Sequence, residues 1–460
     1  MMRARFHRRL GLAMLVVATW AGATGAADPT PASDDSLAAY LASWELDQGR
    51  WAAFAEPGAW SDARQSLVLK LFARLARVSA QRAAAWQSAA VDVSAALPTA
   101  GSDTLVRVDG RAVFVAPQSL SAAEAVLAGR DHHDVVRFVT PAGRQVDVIV
   151  ESAPAAWPRW TGIDERMTVI GLPLAAGPGP VPQAEGRTWP AEPPSLVLLG
   201  VRLSWYPATV LGSLGMDYAT FDTVADGKPL VAGDTEAFYG MLAAAGRASA
   251  EAVVAAAGGA TDVIRLIDPA EKWFAGHRGD PVTFEGTVRR AIRIAIDDES
   301  RRRQVGADHY WELYVFVPTP LIRVDDQVQD DFPIVCCMRS LPAGLPTGDR
   351  IAERVRVSGF ALKRYAYPLQ AVRISSSQGD EERRAMRRET PLLIGPGVTW
   401  LPGPSPGRLA SGLGWAMAGI AAVVGLLLAA AAWMARRAAR RAAHEARERL
   451  PDRIELPPAD

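Results

Sequence analysis

The chain has 460 residues, 49% of them hydrophobic and 22% charged, with 50 basic and 50 acidic side chains. This composition excludes a wholly disordered polymer, and the length allows two or three cored domains. Without the first 27 residues and everything after Ala435, 39 basic groups face 45 acidic ones. That balance argues against a surface built to bind phosphate backbones, so no nucleic-acid partner is expected.

Residues 1–27 have the layout of a secretory signal. Arg3, Arg5, Arg8 and Arg9 precede an apolar stretch from Leu10 to about Ala23, and small residues Thr24-Gly25-Ala26-Ala27 follow. An uncleaved N-terminal helix is the alternative, since Leu10 to Ala27 is nearly long enough to span. Residues 28–98 read as a helical segment. Asp34-Asp35-Ser36 offers a cap, and Trp44, Leu46, Trp51, Phe54, Leu67, Leu71 and Leu75 supply apolar positions up to about Gln87.

A repeat then organises the chain. Glu165-Arg166-Met167-Thr168-Val169-Ile170-Gly171-Leu172-Pro173-Leu174 returns as Glu353-Arg354-Val355-Arg356-Val357-Ser358-Gly359-Phe360-Ala361-Leu362, matching at E-R-x-x-V-x-G-x-x-L. Each copy opens with an alternating run carrying a glycine, Gly110 or Gly286, and continues through a strand marked Asp131-His132 or Asp308-His309. Past the motif, Leu199-Gly200 is followed by Trp205-Tyr206-Pro207, and Ile394-Gly395 by Trp400-Leu401-Pro402, with the same spacings. Three matches in order point to duplication.

Short strands, a glycine in the first of them and a closing V-x-G strand resemble the OB-fold, a small Greek-key barrel. The expected class is α+β: two OB-fold-like β-barrel repeats at 99–176 and 281–372 with helical and small α/β segments, plus one C-terminal transmembrane helix. Between the repeats, 177–194 reads as a Pro/Gly linker and 195–280 as a small α/β segment with a strand at Leu196 to Leu203, another near Tyr218 to Val224, and helices from Asp234 to about Ala257. The phrases His309-Tyr310-Trp311-Glu312-Leu313 and Gly359-Phe360-Ala361-Leu362-Lys363-Arg364-Tyr365-Ala366-Tyr367 resemble those of uncharacterised envelope proteins of planctomycete bacteria. The resemblance implies an envelope location and a two-barrel architecture, and no activity.

Residues 373–408 read as a stalk. From Leu409 to Ala435 no residue is charged, Trp415 and Trp433 sit near the two ends, and Arg436, Arg437, Arg440 and Arg441 follow. This is a single membrane-spanning helix with a basic tail, 436–460, and the positive-inside rule puts that tail in the cytoplasm. The bulk of the chain is then expected outside the cytoplasmic membrane.

Chemistry is sparsely marked. Cys336 and Cys337 are adjacent, which is incompatible with ordinary disulfide geometry, so buried thiols on opposite faces of one strand are expected. Asp131-His132-His133-Asp134 is the densest set of metal-ligand types, but strand alternation lets at most two of the four converge. Asp217, Asp222 and Asp226 fail calcium-loop spacing, and Ser213 lacks the nucleophile-elbow spacing because residue 211 is leucine. No catalytic, metal or cofactor-binding residue is therefore assigned, and no cofactor is expected. The aromatics Trp311, Tyr314, Phe316, Tyr365 and Tyr367 are the candidate binding face, with core packing as the alternative. The expectation is a non-catalytic, membrane-anchored protein binding an envelope protein or a glycan. The alternative is an envelope enzyme using the middle segment, with Asp217, Asp222 or His277 as acid/base groups.

Overall fold

The computed structural model describes residues 36–44, 54, 60–93, 103–324, 327–368, 387–401 and 406–448. The secretory signal expected at 1–27 and half of the expected stalk lie outside them. The chain divides into two compact units, Met1–Trp400 and Leu401–Asp460.

Three described helices open the first unit: α1 (Leu37–Ala42), α2 (Asp62–Leu75) and α3 (Ala80–Ser88). Each starts at a serine. The hydroxyls of Ser36, Ser61 and Ser79 accept hydrogen bonds from the backbone N–H of Ala39, Arg64 and Arg82, satisfying donors that the first helical turn leaves open. The helical stretch expected from Ser36 to Gln87 is thus restarted at each cap. Leu37, Leu41, Val68, Leu71 and Phe72 are buried together with Ile149, Ile170, Leu172, Leu174 and Leu199 from the barrel that follows.

That barrel comprises β2 (Val106–Ser119), β3 (His132–Val139), β4 (Gln145–Val150), β5 (Gly162–Ala175) and β6 (Leu196–Trp205), with the two-residue β1 (Val91–Asp92) added to β2. The ladder runs β2-β3-β4-β6-β5 and closes back on β2, and within it only β4 and β6 are parallel. Counted along the barrel this is strand order 1-2-3-5-4-1, the OB-like Greek key. Helix α4 (Ala122–Ala128) joins β2 to β3. Val108, Val136, Phe138, Val148, Met167, Val169 and Leu198 fill the interior.

The middle segment departs from expectation in two ways. Its first strand, 196–205, is the closing strand β6 of the barrel. Its second, expected near Tyr218 to Val224, is a 3-10 helix, Tyr218–Thr223, because the Asp217 carboxylate accepts from the N–H of Ala219 and from that of Trp205 (3.1 and 2.9 Å) and so caps a turn. Helices α5 (Thr235–Ala245), α6 (Ala250–Ala257), α7 (Val263–Ile267) and α8 (Phe274–His277) follow.

The second barrel repeats the first. Strands β7 (Pro281–Ala295), β8 (His309–Val324), β9 (Gln327–Met338), β10 (Glu353–Pro368) and β11 (Arg387–Trp400) close in the order β10-β11-β9-β8-β7, and β9 and β11 are the parallel pair. Helix α9 (Glu299–Val305) takes the place of α4. Each of these helices ends at a glycine in the left-handed region, Gly129 (φ 65°) or Gly306 (φ 71°), two residues before the Asp-His pair. Even the register is shared: Gly110 faces Met167 and Gly286 faces Val355, in both cases two residues after the motif glutamate. Helices α5 and α6 bury Met241, Leu242 and Val253 with Val335, Cys337, Phe360, Leu362, Leu392 and Ile394, as α1 and α2 do on the first barrel. The duplicated unit is therefore a helical cap and a barrel together.

Every matched motif position has a structural task. Glu165 Oε2 accepts from Trp205 Nε1 at 2.7 Å, and Glu353 Oε2 from Trp400 Nε1 at 2.9 Å, so each glutamate latches the closing strand. Val169 and Val357 enter the two interiors, and Leu174 and Leu362 lie under the two caps. Gly171 and Gly359 run against the closing strands, where a Cβ on Gly171 would strike the Leu199 carbonyl and one on Gly395 the Ser358 carbonyl. Only the arginines face outward: Arg166 over the Tyr206 ring, Arg354 beside Glu285.

The expected repeat bounds, 99–176 and 281–372, stop one strand short, because a long connection precedes the last strand in each barrel. In the first barrel that connection is no free linker. Trp189 is buried against Ala116 and Val135 and meets Phe114 edge-on at 5.5 Å. Arg137, buried on the outer face of the barrel and paired there with Asp147 (2.7 and 2.9 Å), donates to the carbonyls of Pro190 and Glu192. Likewise residues 387–400 of the expected stalk are β11, and its last three residues open the long C-terminal helix.

The second unit contains α10 (Pro406–Glu448), 43 residues long. Within its Gly419–Ala442 stretch, 18 successive residues have a mean hydropathy of 1.8, and the helix is long and apolar enough to cross a membrane. The helix continues unbroken through the arginines after Ala435.

Candidate functional site

The expected aromatic face does not form one face. Trp311 alternates with Tyr310 and Tyr314 along β8 and packs on the interior cluster of the second barrel. Tyr314 and Tyr365 pack on the opposite side, against the core that α5 and α6 close over. Phe316 lies under the Arg289 guanidinium at 4.0 Å, and the Tyr367 side chain lies outside the described residues. Tyr314 and Tyr365 thus belong to the seat of the helical cap.

The Asp/His clusters are also divided. Asp131 and His132 pair at the surface at 2.6 Å, as Asp308 and His309 do in the second repeat at 2.5 Å. In each pair the histidine holds the aspartate below the ordinary carboxylate range. Asp134 is buried and accepts from Ala153 N–H (2.8 Å) and Arg159 (2.9 Å). No group of three metal-ligating side chains comes together among the described residues.

His133 is buried beside the Phe72 ring of α2, and among the described residues neither ring nitrogen has a hydrogen-bond partner. Burial lowers its pKa from 6.5 to about 4, with Asp134 and Glu124 opposing and Arg130 and His132 adding to the shift. The unfolded chain therefore takes up this proton first. The stability contributed is fully present above pH 6.5 and is lost as the pH falls toward 4, up to about 3 kcal/mol. Urea unfolding at pH 7 and at pH 4.5 should show that loss in the native chain and a smaller one in His133→Phe. Equal losses in both would assign the pH dependence elsewhere.

The groups considered for acid/base work are each engaged with other partners. Asp217 caps the 3-10 helix, and Asp222 accepts from Ala155 N–H at 2.9 Å, its carboxyl pushed up by burial. Asp226 accepts from Arg364 N–H and pairs with Arg278. His277 stacks on Trp273 at 4.4 Å with its Nδ1 2.7 Å from the Trp273 carbonyl oxygen. Ser213 Oγ donates to the Val210 carbonyl. Cys336 points into the second barrel and Cys337 toward its cap, both buried, and burial raises both thiols.

One open polar groove stands out that the sequence did not mark. It lies between α3 and the first barrel and encloses about 450 Å³. Its floor is a grid on β2, β5 and β6: strand register sets Arg107, Ile170 and Arg202 in one row and Asp109, Thr168 and Ser204 in the next. Ala84, Gln87 and Ser88 of α3, Asp92 of β1 and Tyr206 complete its lining. The Thr168 hydroxyl donates to Asp109, and Arg202 reaches Asp217 at 3.4 Å. Arg107 differs: its Nε is buried with no hydrogen-bond partner among the described residues. The only sequence signal for this floor is the polar alternation Arg107-x-Asp109 in the first strand, which also suits an ordinary solvated strand.

Fold and groove together define a two-barrel, OB-like protein with one helix fit to cross a membrane. No protein-family model matches the chain, and no curated protein matches it either.

Proposed function

We propose that this chain is a membrane-anchored, non-catalytic binding protein of the cell envelope, exported by its N-terminal segment and held by α10, with the barrels outside the cytoplasmic membrane. The observation that carries the reading is the use of the duplicated residues. The motif glutamate, valine, glycine and leucine of both copies close and cap barrels, so what was duplicated is a scaffold. A polar groove on such a scaffold supports recognition of a partner protein or an oligosaccharide. The apolar Gly419–Ala442 stretch, followed by further helix, supports anchoring.

The test is a chain ended after Trp400. It is expected to leave the membrane fraction and to melt as the whole protein does, since the two units are compact separately. Retention in the membrane would contradict anchoring by α10. Turnover of a substrate by the purified protein, abolished by changing one polar residue, would contradict the non-catalytic reading.

A further inference from the structure

We infer that the groove between α3 and the first barrel binds a carboxylate-bearing oligosaccharide, with Arg107 taking the carboxylate. This rests on the binding-protein reading and names its ligand class. Three observations converge on it.

The first is the unmet demand at Arg107. Asp109 already accepts from Thr168, and Arg202 already reaches Asp217, whereas Arg107 Nε is buried and has no hydrogen-bond partner among the described residues. A buried donor left open is costly, and a guanidinium is satisfied best by a planar, two-oxygen anion.

The second is how the floor is built. Strands β2, β5 and β6 are paired with one another, so their backbone groups are engaged in ladders and offer no free edge to an extended peptide. Recognition falls to side chains: the Thr168 and Ser204 hydroxyls, the Gln87 amide, the Asp109 carboxylate and the Tyr206 ring. These match the alternating hydroxyls and apolar ring faces of sugars. The volume of about 450 Å³ falls in the usual small-ligand range of about 300–1,000 Å³.

The third is charge. Asp92 and Asp109 share the groove with the two arginines, which disfavours a phosphate chain with charge on every unit and tolerates a ligand with an isolated carboxylate.

Full-length protein in nanodiscs, titrated calorimetrically with trigalacturonate, maltotriose and inorganic phosphate, tests the inference. Trigalacturonate should bind at least tenfold more tightly than maltotriose, and phosphate should not displace it. Arg107→Gln should weaken trigalacturonate binding at least tenfold without changing the melting temperature, and Arg107→Lys should fall between. Arg202→Gln, at a more exposed side chain, gives a second reading if Arg107→Gln folds poorly, and it should weaken binding severalfold. Equal affinity for the charged and neutral sugars, no binding of either, displacement by phosphate, or wild-type affinity in both glutamine variants would overturn the inference. None of those outcomes bears on anchoring, which the Trp400 truncation reads separately.

Discussion

Lys363→Met is expected to lower stability by about 3–5 kcal/mol, which is a large share of the total for a domain. Lys363 and Asp234 form an ion pair at 2.7 Å with side-chain exposures of 0% and 1%. Lys363 also reaches the Pro229 carbonyl, and Asp234 accepts from the N–H of Val231 and of Ala225. The pair joins β10 to the start of α5 and so fastens the helical cap to the second barrel. Removing the ammonium leaves a carboxylate stranded out of water, and that desolvation, more than the lost attraction, sets the magnitude. Asp234→Asn keeps an acceptor oxygen for only one of the two backbone donors, turns an NH2 toward the other, and strands the Lys363 ammonium, so it should be costly as well. The double variant should cost less than the sum of the singles, because the stranded charge is gone. Urea midpoints for the four proteins supply the cycle, and simple additivity would mean the pair is not coupled. Lysine is scarce, at four of 50 basic residues. The compact ammonium at the buried position contrasts with the exposed Lys228 and Lys272.

The second large effect belongs to the barrel crossings. Gly171→Val and Gly395→Val should each cost about 3 kcal/mol or more, at the upper end of overpacking, because the atoms in the way are backbone and have nowhere to turn. A Cβ at Gly171 meets the Leu199 carbonyl. One at Gly395 meets the Ser358 carbonyl and Gly359 Cα, with Met338 Sδ at 3.0 Å. Gly162→Ala is the control, since nothing lies within 4 Å of its Cβ position, and should stay within about 0.5 kcal/mol. If the two barrels are copies, variants at repeat-equivalent positions should resemble each other, as at Gly171 and its motif counterpart Gly359, where a Cβ would lie 3.2 Å from the Ile394 carbonyl. The latch variants Glu165→Ala and Glu353→Ala should do so as well, at about 1–3 kcal/mol for an indole N–H left unpaired. A near-neutral Gly395→Val would mean that β11 does not cross β10 as closely at Gly395 as the structure has it.

Duplication, barrel class and membrane-length helix were legible because each leaves a local mark: a spaced motif, strand alternation, an uncharged run. The tryptophan of the closing strand was visible too, as a matched G-x4-W spacing, but its strand was separated from the rest by the connection carrying Trp189. Proline and glycine there gave the signal of a linker, although Arg137 and Trp189 tie the segment to the barrel. Face assignment failed for Tyr314 and Tyr365 because alternation shows which residues share a side and says nothing about what covers that side. Here α5 and α6 cover it. The groove was illegible for the same reason, since its floor comes from three strands and other lining residues from a helix up to 122 residues away in the chain, from Ala84 to Tyr206.

The central claim is that the barrels stand outside a membrane that α10 crosses. Cys336 and Cys337 are buried, at 0% and 2% exposure, so an introduced surface cysteine reports alone. Val126→Cys, at a site 85% exposed on α4, should react with a membrane-impermeant maleimide in intact cells, and Ala442→Cys, beyond the arginines, only after permeabilisation. Protection of the Val126→Cys site in intact cells, or labelling of the Ala442→Cys site without permeabilisation, would contradict the account.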